Sequence, residues 1–158
     1  MPAGNAFLQF QRAKFKTKLP QGQLYTQSHM WLREAPGNVW QIGLTRFALR
    51  MLGDPVELDF EVQGTQEIET GTVVGWLEGF KAVTDLYTPM PGRFAGGNPE
   101  LDEGLDAVKS SSYDRGWLFA VQGTPGDECL DAESYADFLG ATIDRMLGDE
   151  QKQKESNA

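Results

Sequence analysis

The chain has 158 residues, 40% of them hydrophobic, with 18 glycines, 8 prolines and a single cysteine; that length suits one domain, and so many turn formers fit a β-rich body better than a helical bundle. Residues 1–33 carry five bases and no acid, and the remainder carries nine bases and 23 acids, for a net charge of −9. The acidic body argues against a nucleic-acid partner, the lone Cys129 against an intrachain disulfide and so against secretion, and the lack of a long apolar run against a membrane span, so we expect a cytoplasmic protein.

Residues 1–22 are expected to form a basic N-terminal extension, closing at Leu19-Pro20-Gln21-Gly22. Phe7, Phe10 and Phe15 alternate there with bases, a pattern open to an added strand or a docking arm. The body is expected over 23–147. His29 to Leu32 reads as a strand, Glu34 to Asn38 as a turn and Val39 to Leu44 as its hairpin partner. Thr45 has the hydroxyl to cap a short helix, and Gly53 can end it in a left-handed conformation. Val56, Leu58, Phe60 and Val62 alternate with acids, which predicts one strand with those four on a shared face.

Thr72–Phe80 and Thr84–Thr88 read as two further strands, with Lys81 between them. Pro89 to Gly92 breaks the chain before a strand near Arg93 to Ala95, and 96–115 reads as a long irregular stretch. Trp117 to Val121 predicts a buried strand; Trp31, Trp40 and Trp76 also fall on strands and read as core. Asp131 can cap a last helix whose apolar face runs from Tyr135 to Leu147. Gly148 is expected to stop it, leaving 148–158 as a disordered polar tail.

The chemistry is concentrated in Gly75 to Pro89. Lys81 is the only base between Arg50 and Arg93. At a hairpin tip its amine is accessible to a modifying enzyme, while the strands beneath it stay rigid. One histidine and one cysteine supply no zinc set, the acids from Glu100 to Asp106 lack EF-hand spacing, and no nucleophile triad assembles around His29. Neither a catalytic residue nor a metal ligand is expected.

Gly75, Glu78, Lys81, Ala82, Asp85, Leu86, Tyr87 and Pro89 match, in register, the lipoylation segment of the glycine cleavage H-protein family. His29-x-Trp31-Leu32, Gly43-x-Thr45, Leu52-Gly53-Asp54, Gly116-Trp117-Leu118 and Leu130-Asp131-Ala132-Glu133 follow in the family's order. The chain resembles that family over about residues 24–140. The resemblance implies a mainly β, barrel-sandwich hybrid of the lipoyl/biotinyl-carrier type, with a short internal helix and a C-terminal helix. It implies a monomeric carrier and not an enzyme, with lipoic acid joined as an amide to Lys81. Phe80 and Ala82 flank that lysine where biotin carriers typically have methionines. Glu78 matches a position that helps the lipoylating enzyme recognise the site. Ser28, His29 and Asp85 match positions near the arm.

The family's acid just before the first Trp is Met30 here, which removes a counter-charge for an aminomethyl cargo. That departure tips our reading of the cargo slightly toward sulfur, as in the H-protein-like lipoate-binding proteins that serve a heterodisulfide-reductase-like complex. The alternative is a glycine cleavage H protein that carries an aminomethyl group among the P, T and L proteins, the last a dihydrolipoyl dehydrogenase. Either carrier needs a lipoate ligase or lipoyltransferase. A third reading is a scaffold that is never lipoylated.

Overall fold

The computed structural model describes residues 6–156. The first five residues of the expected extension, and the last two of the expected tail, lie outside the described residues.

Two antiparallel sheets form a sandwich that does not close into a barrel. The larger has the order β3-β4-β5-β11-β10-β7. Its strands are β3 (Leu24–Tyr25), β4 (Met30–Ala35), β5 (Val39–Leu44), β7 (Glu67–Ile68), β10 (Gly92–Gly97) and β11 (Phe119–Gln122). The smaller has the order β6-β8-β9, from β6 (Pro55–Phe60), β8 (Val73–Gly79) and β9 (Val83–Tyr87). Leu32 and Ile42 from one sheet, and Leu77 and Leu86 from the other, meet in the main core with almost no exposure.

β4 and β5 pair from Met30↔Leu44 to Ala35↔Val39, so the predicted hairpin is present in register. Alternation along β4 splits its side chains between two cores. Met30 and Leu32 enter the inter-sheet core, while Trp31 points into a second cluster with Tyr25, Phe47, Tyr135 and Leu139.

That second cluster is closed by elements at both ends of the chain. β1 (Phe7–Arg12) and β2 (Phe15–Pro20) form a separate antiparallel hairpin. Phe10, Phe15 and Leu19 place its apolar side in the cluster, so the alternating phenylalanines build an added two-stranded sheet. The C-terminal helix α3 (Ala132–Ser156) packs against β1, β2 and β3. Asp131 Oδ1 accepts from the Ser134 amide at 2.8 Å, the expected N-cap.

Three sequence expectations are corrected. The predicted face of Val56, Leu58, Phe60 and Val62 breaks at its start. The β6–β8 register shifts between Pro55 and Glu57, and Val56 is turned out with 48% exposure; a bulge reverses the side-chain alternation of a strand. The stretch 96–115 is more ordered than expected. A 3-10 turn at Pro99–Glu103, capped by the Asn98 side chain on the Glu100 amide, precedes the short helix α2 (Asp106–Ser110). Leu101, Ala107 and Val108 are buried and hold it to the body. Finally, α3 runs through Gly148 to Ser156 instead of stopping. Residues 149–155 are mostly good helix formers, a Glu150–Lys154 pair lies one turn apart, and a single interior glycine costs only about 1 kcal/mol. Among the described residues, no helix is long and apolar enough to cross a membrane.

Candidate functional site: the Lys81 hairpin and its cleft

The helix α1 (Arg46–Leu52) is built as its caps dictate. Thr45 accepts from the Ala48 amide, and the Gly53 amide donates to the Leu49 carbonyl with φ at +80°. Its C-terminal end is where the β8–β9 turn lands. The Phe80 amide donates to the Asp54 carbonyl at 3.1 Å and the Lys81 amide to the Leu52 carbonyl at 2.8 Å. These bonds satisfy carbonyls at and beyond a helix end that would otherwise lack partners. Gly79 completes the join, because a Cβ there would come 2.3 Å from the Leu52 oxygen.

Lys81 is thereby held at its backbone and free at its side chain. The side chain is exposed, and its Nζ donates to the Arg50 carbonyl at 3.3 Å. A positive charge at the carbonyl end of a helix is mildly favourable. Among the described residues no carboxylate pairs with it. The neighbouring Phe80 ring is 81% exposed, leaving a protruding apolar group beside the amine.

The other expected site residues fall into two places. Glu78 lies opposite Val83, and Asp85 opposite Trp76, so both acids share the outer face of the small sheet that carries Lys81. Ser28, His29 and Met30 lie at the start of β4 on the other sheet. The Ser28 hydroxyl bonds the Thr26 hydroxyl at 2.8 Å. Met30 is 4% exposed within the inter-sheet core.

His29 adopts φ +67°, which a histidine tolerates better than most residues. Its Nδ1 is 2.8 Å from the Tyr135 hydroxyl, and its ring packs 4.8 Å from Phe47 and 5.8 Å from Phe138. Burial lowers its pKa to about 4, so the ring is a neutral packing element at neutral pH.

A cleft of about 590 Å³ opens beside Lys81. Phe15 and Lys16 of β2, Arg46 to Asp54 around α1, and Lys109 of α2 contribute to its walls. Ser28, His29, Met30, Glu78 and Asp85 are not among the residues that line it. Sequence reading missed this cleft, because its bases come from separate segments spread between Lys16 and Lys109. The one available signal was the excess of base in residues 1–33.

The fold is that of a carrier domain, a β-sandwich with an exposed lysine at the tip of a tied-down hairpin. Comparison with known proteins gives the family: the glycine cleavage H-protein model matches residues 23–140, and the chain belongs to that family. The chain is 41% identical over 127 residues to the glycine cleavage system H protein of Micrococcus luteus, covering 76% of this chain and 96% of that protein. It is 35% identical over 125 residues to that of Bacteroides fragilis, covering 77% and 98%. The crystal structure of a glycine cleavage system H protein from Mycobacterium marinum superposes with a TM-score of 0.69 at 29% identity, covering 77% of this chain and 99% of that one. The hairpin β1–β2, and α3 beyond residue 140, lie outside the family-matched segment.

Proposed function

We propose that the chain is a lipoyl carrier of the glycine cleavage system, with lipoic acid attached through an amide to Lys81. The observation that carries this reading is the exposed, carboxylate-free Lys81 amine on a turn whose backbone is fixed to α1. The residues fit the group: the amine is open to acylation, and a cleft of about 590 Å³ adjoins it for a flexible chain. When bound, the lipoyl group supplies a disulfide that opens to a dithiol and holds a one-carbon, amine-bearing cargo. The chain's own residues present and orient that arm, and partner enzymes supply the catalysis. The P, T and L proteins and a lipoate ligase or lipoyltransferase are the partners this reading requires. Glu78, on β8 opposite Val83 and three residues before the lysine, is the residue this reading assigns to recognition by the lipoylating enzyme.

The relatives favour this cargo over sulfur. The sulfur reading rested on a missing acid at Met30, and that side chain packs into the inter-sheet core away from the cleft. Its identity is therefore poor evidence about what the arm carries.

Incubation with lipoate, ATP and a lipoate ligase should add one lipoyl mass to the intact chain and none to Lys81→Arg. The modified chain should then support glycine–bicarbonate exchange with the glycine decarboxylase. An unmodified mass, both in vitro and from the native host, would establish the scaffold reading instead.

A further inference from the structure

The C-terminal helix carries its apolar stripe beyond the body it packs on. Ile143 is buried in the second cluster, whereas Met146 and Leu147, three and four residues on, are exposed. Residues at that spacing share one helix face. Together they line a groove of about 630 Å³, to which Phe15 and Phe47, both buried, and the exposed Met51 of α1 also contribute. Arg12, Lys14, Arg50 and Lys154 are the bases of this groove and Glu150 is its one acid. Arg12 pairs with Asp144 and Lys154 with Glu150; Lys14 and Arg50 have no carboxylate partner among the described residues. An apolar groove thus carries positive charge on a chain whose net charge is −9. Most of it is built from the added hairpin and from α3 beyond residue 140; only Phe47, Arg50 and Met51 fall within the family-matched segment.

We propose that this groove docks an acidic amphipathic helix of a partner protein, with its apolar side chains in the groove and its carboxylates at the bases. The open stripe of one helix is matched by the stripe of another, at the i, i+3, i+4 and i+7 spacing of helix-in-groove recognition. Methionines suit such a seat, because their flexible thioethers repack around an incoming side chain. Charge selects the occupant. A second copy docked groove to groove would set these bases against each other across a two-fold axis. An anionic bilayer would be repelled by the acidic remainder of the chain. Carboxylates on a helix instead find Lys14 and Arg50 without competing partners. The position of the groove gives the docking a use. Arg50 lines both this groove and the cleft beside Lys81, and its carbonyl accepts from the Lys81 amine. A partner seated here is therefore a neighbour of Lys81. The proposal stands on the groove alone and does not depend on what Lys81 carries.

The test uses the full chain and a fluorescein-labelled, hydrocarbon-stapled peptide helix with leucines at that spacing and glutamates elsewhere, followed by fluorescence anisotropy. Binding should saturate at one peptide per chain. It should weaken about tenfold or more when lysines replace the peptide's glutamates, and likewise in Lys14→Glu. Met51→Ser/Leu147→Ser changes two exposed positions and leaves the core intact; it should also weaken binding about tenfold. Added NaCl should weaken it further. Arg93→Glu, outside the groove, should leave it unchanged. Absence of saturable binding, equal binding of the glutamate and lysine peptides, or binding indifferent to the groove variants would overturn the proposal. A concentration-dependent dimer in sedimentation velocity, abolished by Leu147→Ser, would assign the groove to a second copy instead. Flotation with phosphatidylglycerol vesicles, lost in the same variant, would assign it to a lipid surface. Lipoylation of Lys81 is read separately by intact mass, so the carrier reading and this proposal can each fail without the other.

Discussion

Gly79 of β8 and Leu52 of α1 are in backbone contact, with no room between them for a side chain. A Cβ at Gly79 would lie 2.3 Å from the Leu52 oxygen and 2.8 Å from its carbonyl carbon. This contact sets the height at which the lysine turn rests on the helix. Gly79→Ala should force the turn away from α1 and cost about 1–3 kcal/mol in urea unfolding, as overpacking does. It should also slow acceptance of lipoate at Lys81, whereas Ala82→Gly should do neither. Wild-type stability in Gly79→Ala would show that the join is slack.

His29 gives the fold a pH dependence of known sign. Its pKa is about 4 in the folded chain and near 6.5 when unfolded. The unfolded state therefore binds more protons between those values, and stability falls as pH drops through that window. The ring is partly accessible, so the loss is on the order of 1–3 kcal/mol after allowing for screening. His29→Asn keeps a residue that tolerates positive φ and removes the titrating ring. Urea midpoints at pH 7 and pH 4.5 should differ less in that variant than in the parent; an equal difference would assign the acid sensitivity elsewhere.

The added hairpin is predicted to be part of the folded core. Leu19 is fully buried among Phe15, Tyr25 and Phe47. Leu19→Ala should cost about 2–5 kcal/mol by equilibrium denaturation. A loss below about 0.5 kcal/mol would mean that the hairpin is dispensable.

Gly148 lies within α3 with open space where a Cβ would go. Gly148→Ala should stabilise the helix by up to about 1 kcal/mol and raise the far-ultraviolet helical signal. No change in helicity would point to a helix already ended before that residue.

What sequence alone made legible was local. Thr45 and Gly53 bound α1 as their capping chemistry requires, and Lys81 stands at the turn between two strands. Long-range effects were hidden. The bulge at Pro55–Glu57 depends on pairing with β8 and reverses Val56 despite its regular alternation. The strands β3 and β7 have two residues each and no periodicity to read. The lysine could be found because its segment is contiguous. Its cleft could not, because Lys16, Arg50 and Lys109 converge only after three separate elements have packed.

Arg12 of β1 reaches Asp144 of α3 at 2.5 Å, and both lie beyond the matched family segment. The two ends of the chain therefore brace one another across Phe47 and Phe15, behind the helix that carries the lysine turn. A lesion at either terminus should be felt at the lysine turn, even with every residue of that turn's own hairpin intact. In this chain the appended parts are the mounting of the helix on which the lysine turn rests.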